Sequence, residues 1–142
     1  MNVASILKVK GRSVATADPG ETLQTLAARL AQKKIGAIVI VERGRVVGII
    51  SERDVIGAIA EDGAACLAHP ASSHMTRAVV TCTEADTIDH LMETMTHGRF
   101  RHVPVVDGDT LVGIVSIGDV VKNHIAEVEL EASALKNYLV AG

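Results

Sequence analysis

A chain of 142 residues, 48% of them apolar, has room for one domain or for two small repeats that share an interior. The net charge of −3 is spread over 14 basic and 17 acidic residues mixed along the chain, with no basic block of the kind that neutralises a nucleic-acid backbone. One Phe, one Tyr and no Trp argue further against a single-strand binder, which stacks bases on several rings. The longest apolar runs, such as 35–41, fall far short of the ~20 residues of a membrane span. The opening MNVASILKVKGR lacks the apolar centre of a signal peptide. Cys66 and Cys82 stand far apart with no C-x2-C pattern, as two ordinary reduced thiols would. These features predict a cytoplasmic protein that engages neither membrane nor nucleic acid.

In chain order, Val14–Thr16 reads as a short strand. Asp18-Pro19-Gly20-Glu21 then has the cap residue, proline and acid of a helix start, and Leu23, Leu26, Ala27 and Leu30 follow on one helical face. Two β-branched runs, 35–41 and 46–50, flank the turn Glu42-Arg43-Gly44-Arg45. A second helix begins at Ser51. Residues 61–73, rich in Ala, Gly, Ser and Pro, read as a linker. The same order then returns. Val79–Thr81 reads as a strand, Ile88, Leu91, Met92 and Met95 as a helix face, 102–106 and 110–115 as strands around Asp107-Gly108-Asp109, and a helix starts from Ser116.

The recurrence is a duplication. Shifted by 65 residues, Val14 falls on Val79, Thr16 on Thr81, Thr22 on Thr87 and Leu26 on Leu91, and GIISERD (48–54) falls on GIVSIGD (113–119) without a gap. The fold class is therefore α+β: two β-α-β-β-α repeats, 1–65 and 66–142, packed pseudo-symmetrically, with an extended C-terminal helix. One such unit has too little interior to stand alone. Pairing buries the open face of each sheet and leaves two equivalent clefts between the copies.

The shared Ser-x-x-Asp has two readings. As a capping box, Ser51 and Ser116 cap the helices that follow, and Asp54 and Asp119 return a bond to the cap amide. As a binding site, the helix mouth favours an anion, and an Asp one turn in offers acceptor oxygens to the paired hydroxyls of a ribose.

The duplication, the Gly-h-h-Ser-x-x-Asp (h, apolar) that closes each copy and Arg101-His102-Val103-Pro104-Val105-Val106-Asp107 resemble a tandem pair of CBS domains, named after cystathionine β-synthase. Paired in this way they form a Bateman module, and SERD and SIGD look like the small stand-alone bacterial members. The resemblance implies a regulatory, non-catalytic sensor of adenosyl ligands: AMP first, with ADP, ATP, NAD(H) or S-adenosylmethionine as alternatives, signalling to a regulated protein not identified by the sequence. It implies that one cleft uses Ser116 and Asp119 with Thr16, Ile35, Gly36, Ala37 and Ile38. The other uses Ser51, Arg53 and Asp54 with Val80, Thr81, Phe100, Arg101, His102, Val103 and Pro104. The Asp holds the ribose, aliphatic side chains sandwich the adenine, and Arg101, His102 and Arg53 approach the phosphate. Copy one has Gly36-Ala37-Ile38-Val39 where copy two has Arg101-His102-Val103-Pro104, so the clefts are expected to differ.

His102 is equally compatible with a half-buried ring bonded to backbone. Arg99 is expected as solvated charge. Cys66, His69 and His74 form a C-x2-H-x4-H line, but in a flexible linker with no fourth ligand no metal site is expected. No base stands near either serine in sequence, so no catalysis is expected. Val121, Ile125, Val128, Ala132, Leu135 and Leu139, spaced 4, 3, 4, 3, 4, form a heptad-like seam that predicts a homodimer. The competing function is a structural homodimerisation module with vestigial clefts.

Overall fold

The computed structural model describes residues 1–141. Helix α1 (Val3–Lys10) leads to β1 (Thr16–Ala17), α2 (Leu23–Lys33), β2 (Ala37–Glu42), β3 (Arg45–Ser51) and α3 (Glu52–Asp62). Two 3-10 turns, Gly63–Ala68 and Ala71–Ser73, precede α4 (Ile88–Gly98), β4 (His102–Asp107), β5 (Thr110–Ser116) and the long α5 (Ile117–Ala141). The first copy keeps the β-α-β-β-α order expected of the duplicated sequence, the second keeps it from its helix onward, and the two hairpins agree in fine detail. The β2–β3 hairpin slips register between Ile40 and Val41, and β4–β5 slips between Val105 and Val106, 65 positions on.

The first helix of each copy starts later than the Asp18-Pro19-Gly20-Glu21 pattern predicts. Those four residues form a turn in which the Asp18 amide donates to Glu21 Oε2 at 2.7 Å. The cap is Thr22, whose hydroxyl accepts from the Thr25 amide. Copy two repeats the device: the Thr83 amide donates to Asp86, and Thr87 caps α4. The acid thus closes the turn before the helix, and a threonine does the capping. The strand expected at 79–81 does not form either. Only Cys82 bridges Val105, so the second sheet has two strands, β4 and β5, where the first has three. Val79 and Val80 face the gap between the repeats instead. Burial, reinforced by the charge of Asp86, pushes the Cys82 thiol up to about 12, which keeps it protonated.

Each copy's core is completed by a segment from outside its β-α-β-β-α unit. Residues 61–73, expected as a linker, are packed. Cys66 and Ala71 are fully buried, with Met75, among Leu23, Leu26, Ile38, Ile40 and Ile50. Backbone bonds clamp this segment to the start of α2, through Leu23 N to His69 O at 3.0 Å and Ala71 N to Glu21 O at 2.7 Å. In return, α1 buries Val3, Ile6 and Leu7 in the second core, beside Ile88, Leu91, Val103 and Val115. Each such burial contributes about 1.5–3 kcal/mol relative to exposure, which makes α1 integral to the second repeat.

The crossing segments explain the paired glycines. Gly48 and Gly113 open the Gly-h-h-Ser-x-x-Asp motif of each copy. A Cβ on Gly48 would collide with the Met75 side chain, and one on Gly113 would lie 2.8 Å from Leu7 Cδ2. The glycines admit the crossing chain, not a ligand. Gly113→Val is therefore expected to destabilise the protein by about 1–3 kcal/mol in urea unfolding. The smaller side chain of Leu7→Ala should lessen the effect of the glycine change in the double variant, and strictly additive losses would refute the contact as the cause.

Candidate functional site

Both capping boxes form. The Ser51 amide and hydroxyl donate to Asp54 Oδ2 at 2.8 and 3.1 Å, and the Asp54 amide donates back to Ser51 Oγ at 3.3 Å. In copy two the Ser116 amide and hydroxyl donate to Asp119 Oδ2, both at 2.9 Å, with the return bond at 3.2 Å. The cap converges on a single oxygen of each carboxylate. Among the described residues, Oδ1 of Asp54 takes part in no hydrogen bond. The structural and binding readings of Ser-x-x-Asp are thus compatible, because one oxygen fixes the side chain and the other remains available. A second bond fixes the mouth of each helix: Glu52 N to Gly36 O at 3.1 Å, and Ile117 N to Arg101 O at 2.7 Å, again 65 positions apart.

The first cleft is a cavity of about 600 Å3, large enough for a small-molecule ligand. It holds Ser51, Arg53, Asp54, Val80, Phe100, Arg101 and His102 of the expected residues. Ile49, Ile56, Ala78 and Val79 add an aliphatic wall. Arg99, expected as solvated charge, lines it too, because α4 ends there with Arg99 in the left-handed conformation at φ 55°. Arg53 reaches across, its Nη1 3.5 Å from the Arg99 carbonyl oxygen. Among the described residues none of Arg53, Arg99 and Arg101 forms an ion pair. Three unpaired guanidinium groups thus surround a cavity that also presents the Asp54 carboxylate. Thr81 is exposed outside it, and Val103 and Pro104 turn inward, Val103 to the core.

The second cleft, about 450 Å3, holds Ile35, Gly36, Ala37 and Ser116. Thr16 is exposed outside it, where its carbonyl accepts from Arg29, and Ile38 lies fully buried in the first core. Asp119 does not line this cleft, whereas Asp54 lines the first. Lys10 Nζ, from the end of α1, donates to Asp119 Oδ2 at 2.7 Å and to the Ile114 carbonyl at 2.9 Å. Burial raises the Asp119 carboxyl, but the bonds from Lys10 and Ser116 outweigh it and hold the group below its ordinary range. The clefts differ as expected, though not through a lack of cations: Lys10, Lys33 and Lys34 line the second.

Gly36 and His102 line both cavities and form the wall between them. A Cβ on Gly36 would stand 2.7 Å from His102 Cε1, so only glycine lets the ring lie there. Burial, then the Lys10 charge, push the His102 pKa below its ordinary value, against the pull of Glu52 and Asp119.

With the repeats, caps and clefts in place, the family follows. The chain belongs to the CBS domain family, whose model matches residues 7–61 and again 71–125. The CBS-domain containing protein ATU1752 from Agrobacterium tumefaciens is 47% identical with a TM-score of 0.85, over 87% of this chain and 99% of that one. The CBS domain pair of MJ0100, solved with 5′-methylthioadenosine and S-adenosyl-L-methionine, is 29% identical with a TM-score of 0.79, over 89% and 98%. PAE2072 from Pyrobaculum aerophilum, solved with AMP, is 28% identical with a TM-score of 0.75, over 84% and 89%.

The lowered His102 pKa has a pH consequence. Below the ordinary value of 6.5, the unfolded chain binds a proton that the folded wall resists, until the lower folded value is reached. The contribution is full above 6.5 and declines as pH falls through that window. Urea unfolding at a series of pH values should show a shallower acid decline for His102→Asn than for the parent chain, and an identical slope would contradict the burial argument.

Proposed function

We propose that this chain is a regulatory module, not an enzyme, which binds an adenine nucleotide in the first cleft and presents the resulting state to a partner protein. The observation that carries the reading is the pairing of a fixed acid with unpaired cations: Asp54 at the mouth of α3, facing a cavity lined by Arg53, Arg99 and Arg101. An acceptor oxygen suits ribose hydroxyls, the aliphatic wall suits adenine, and the guanidinium groups suit phosphate. That charge balance favours AMP, ADP, ATP or NAD(H) over S-adenosylmethionine, whose sulfonium gains nothing from three cations. AMP is the leading choice, supported by the AMP complex of the similar Pyrobaculum protein.

The second cleft is proposed as the weaker site, since its carboxylate does not line the cavity and its charge is already matched by Lys10. Binding shifts the module between arrangements only as far as the ligand's affinity differs between them. Action in the cytoplasm is part of the proposal; among the described residues no helix is long and apolar enough to cross a membrane. Titration calorimetry with AMP should give binding that weakens by about 10–100-fold in Asp54→Ala and in Arg101→Ala, the effect of losing one charge-assisted hydrogen bond. No heat with any of AMP, ADP, ATP, NAD, NADH and S-adenosylmethionine at millimolar concentration would overturn the proposal.

A homodimer is proposed as well, on a separate observation. Ile125, Val128, Leu135 and Leu139 of the seam are half-exposed or more, up to 68% at Leu139, and α5 beyond residue 129 is uncovered along its whole length. A seam at 3.5-residue spacing is satisfied by a second helix of the same kind. If pairing were the whole function, the melting temperature would ignore nucleotide, because only a ligand of the native state raises it. Leu135→Glu should halve the mass seen in light scattering, and an unchanged mass would exclude the seam as the interface.

A further inference from the structure

The segment after α3 brings together three groups that no part of the nucleotide reading uses. Asp62 ends α3, and His69 and His74 follow the two 3-10 turns. One ligating atom from each lies within 4.8 Å of the others. His69 Nδ1 and His74 Nε2 are 3.0 Å apart, with the two rings within 3° of parallel. We propose that Asp62, His69 and His74 form a binding site for a borderline divalent cation of the zinc class.

The objection from sequence was a flexible frame and too few ligands. The fold supplies the rigid frame, and Asp62 in place of Cys66 gives a three-ligand shell of the open type, which water completes. Cys66 and Ala71, fully buried, anchor the segment from within. The His69 amide donates to Cys66 O, the His69 carbonyl accepts from Leu23 N, and the His74 amide donates to Ala71 O, each at 3.0 Å. Both imidazoles therefore leave a fixed backbone. The acid comes from a residue outside the C-x2-H-x4-H line, while Cys66 itself is buried in the core and is not among the three.

The donor set selects the ion. Two imidazoles and one carboxylate suit zinc, cobalt or nickel, whereas magnesium and calcium take all-oxygen shells. Around a tetrahedral zinc with bonds of about 2.0–2.1 Å, ligand atoms stand roughly 3.4 Å apart. The histidine nitrogens are already near that separation, and Asp62, exposed at the end of its helix, closes the remainder by side-chain rotation. In the N–H···N bond between the rings one inner nitrogen carries the proton and the other accepts. On metal entry the proton-bearing ring changes tautomer, its proton passing through solvent exchange to its own outer nitrogen, and both inner lone pairs turn to the ion, with water in the fourth position. The bound ion ties the end of α3 to the segment that leads into Thr76 and Val80, so it joins two walls of the first cleft from behind.

The test is a zinc titration of the metal-stripped full chain against a chromophoric chelator. One zinc per chain is expected. Binding should weaken about tenfold or more in His69→Ala, in His74→Ala and, on an exposed residue that leaves the fold intact, in Asp62→Asn, since loss even of an outer contact costs about 10–100-fold. Zinc should raise the melting temperature of the parent chain, and raise that of Asp62→Asn less at the same concentration. Cobalt should give visible d–d absorption without thiolate charge transfer, because Cys66 takes no part. The proposal is overturned if the parent chain binds no zinc, or if Asp62→Asn and His74→Ala bind it as the parent does. It is equally overturned if binding is lost instead in Asp89→Asn, which belongs to the other cluster of metal-ligating groups among the described residues, Asp89, His124 and Glu127.

Discussion

The capping box at the strand-to-helix junction is the constraint on which the rest depends. A helix that begins beside a cleft leaves amides that need acceptors. An aspartate at the third helical position, bonded back to the serine cap, meets that need and holds its carboxylate in one place. Glutamate would cap as well but would set its oxygens one methylene farther out. The residues between Ser and Asp take no part in the box, which is why they differ completely between the copies, Glu52-Arg53 in one and Ile117-Gly118 in the other. Arg53 then serves the cleft itself.

The duplication sets two clefts about a common wall of Gly36 and His102, and the crossing segments break the symmetry. Helix α1, from the 1–65 half, completes the second core, and Cys66, Ala71 and Met75, from the 66–142 half, complete the first, so the two halves exchange segments across that boundary. Only α1 carries Lys10, and Lys10 meets Asp119. One helix mouth therefore carries an internal cation and a carboxylate that lines no cavity, whereas the carboxylate of the other lines the first cleft. The ion pair is partly shielded, with both side chains about a third exposed or less, so its chief effect is to match the charge of the carboxylate beside the second cleft. Its contribution to stability is small for a pair of that exposure.

The repeat, its element order and the hairpin strands were legible because apolar periodicity and the 65-residue offset reinforce one another. The residues brought to the first cleft were legible wherever both copies carry the same motif, as at Ser51 and Asp54. What escaped lies outside the offset. Helix α1 has no counterpart in it and is too short to show a period. The 61–73 segment reads as a linker by composition, yet its two small buried residues, Cys66 and Ala71, are what a crossing chain needs. Lys10, Lys33, Lys34 and Arg99 look like surface charge, and only the ends of α1, α2 and α4 bring the lysines to the second cleft and Arg99 to the first. Ile38 and Val103 were assigned to the clefts with their strands, but alternate pointing turns them to the cores.

A ligand held at an α3 mouth that is already built should perturb few atoms, since the cap, the glycine wall and the aliphatic face all exist beforehand. The most direct measurement is a two-dimensional amide NMR titration of the isotope-labelled chain with AMP. The account predicts shifts concentrated at Gly36, Ser51 to Asp54, Val80 and Phe100 to His102, with the Lys10 and Asp119 signals moving only at higher concentration. Shifts absent from that set, or confined to the second cleft, would contradict it.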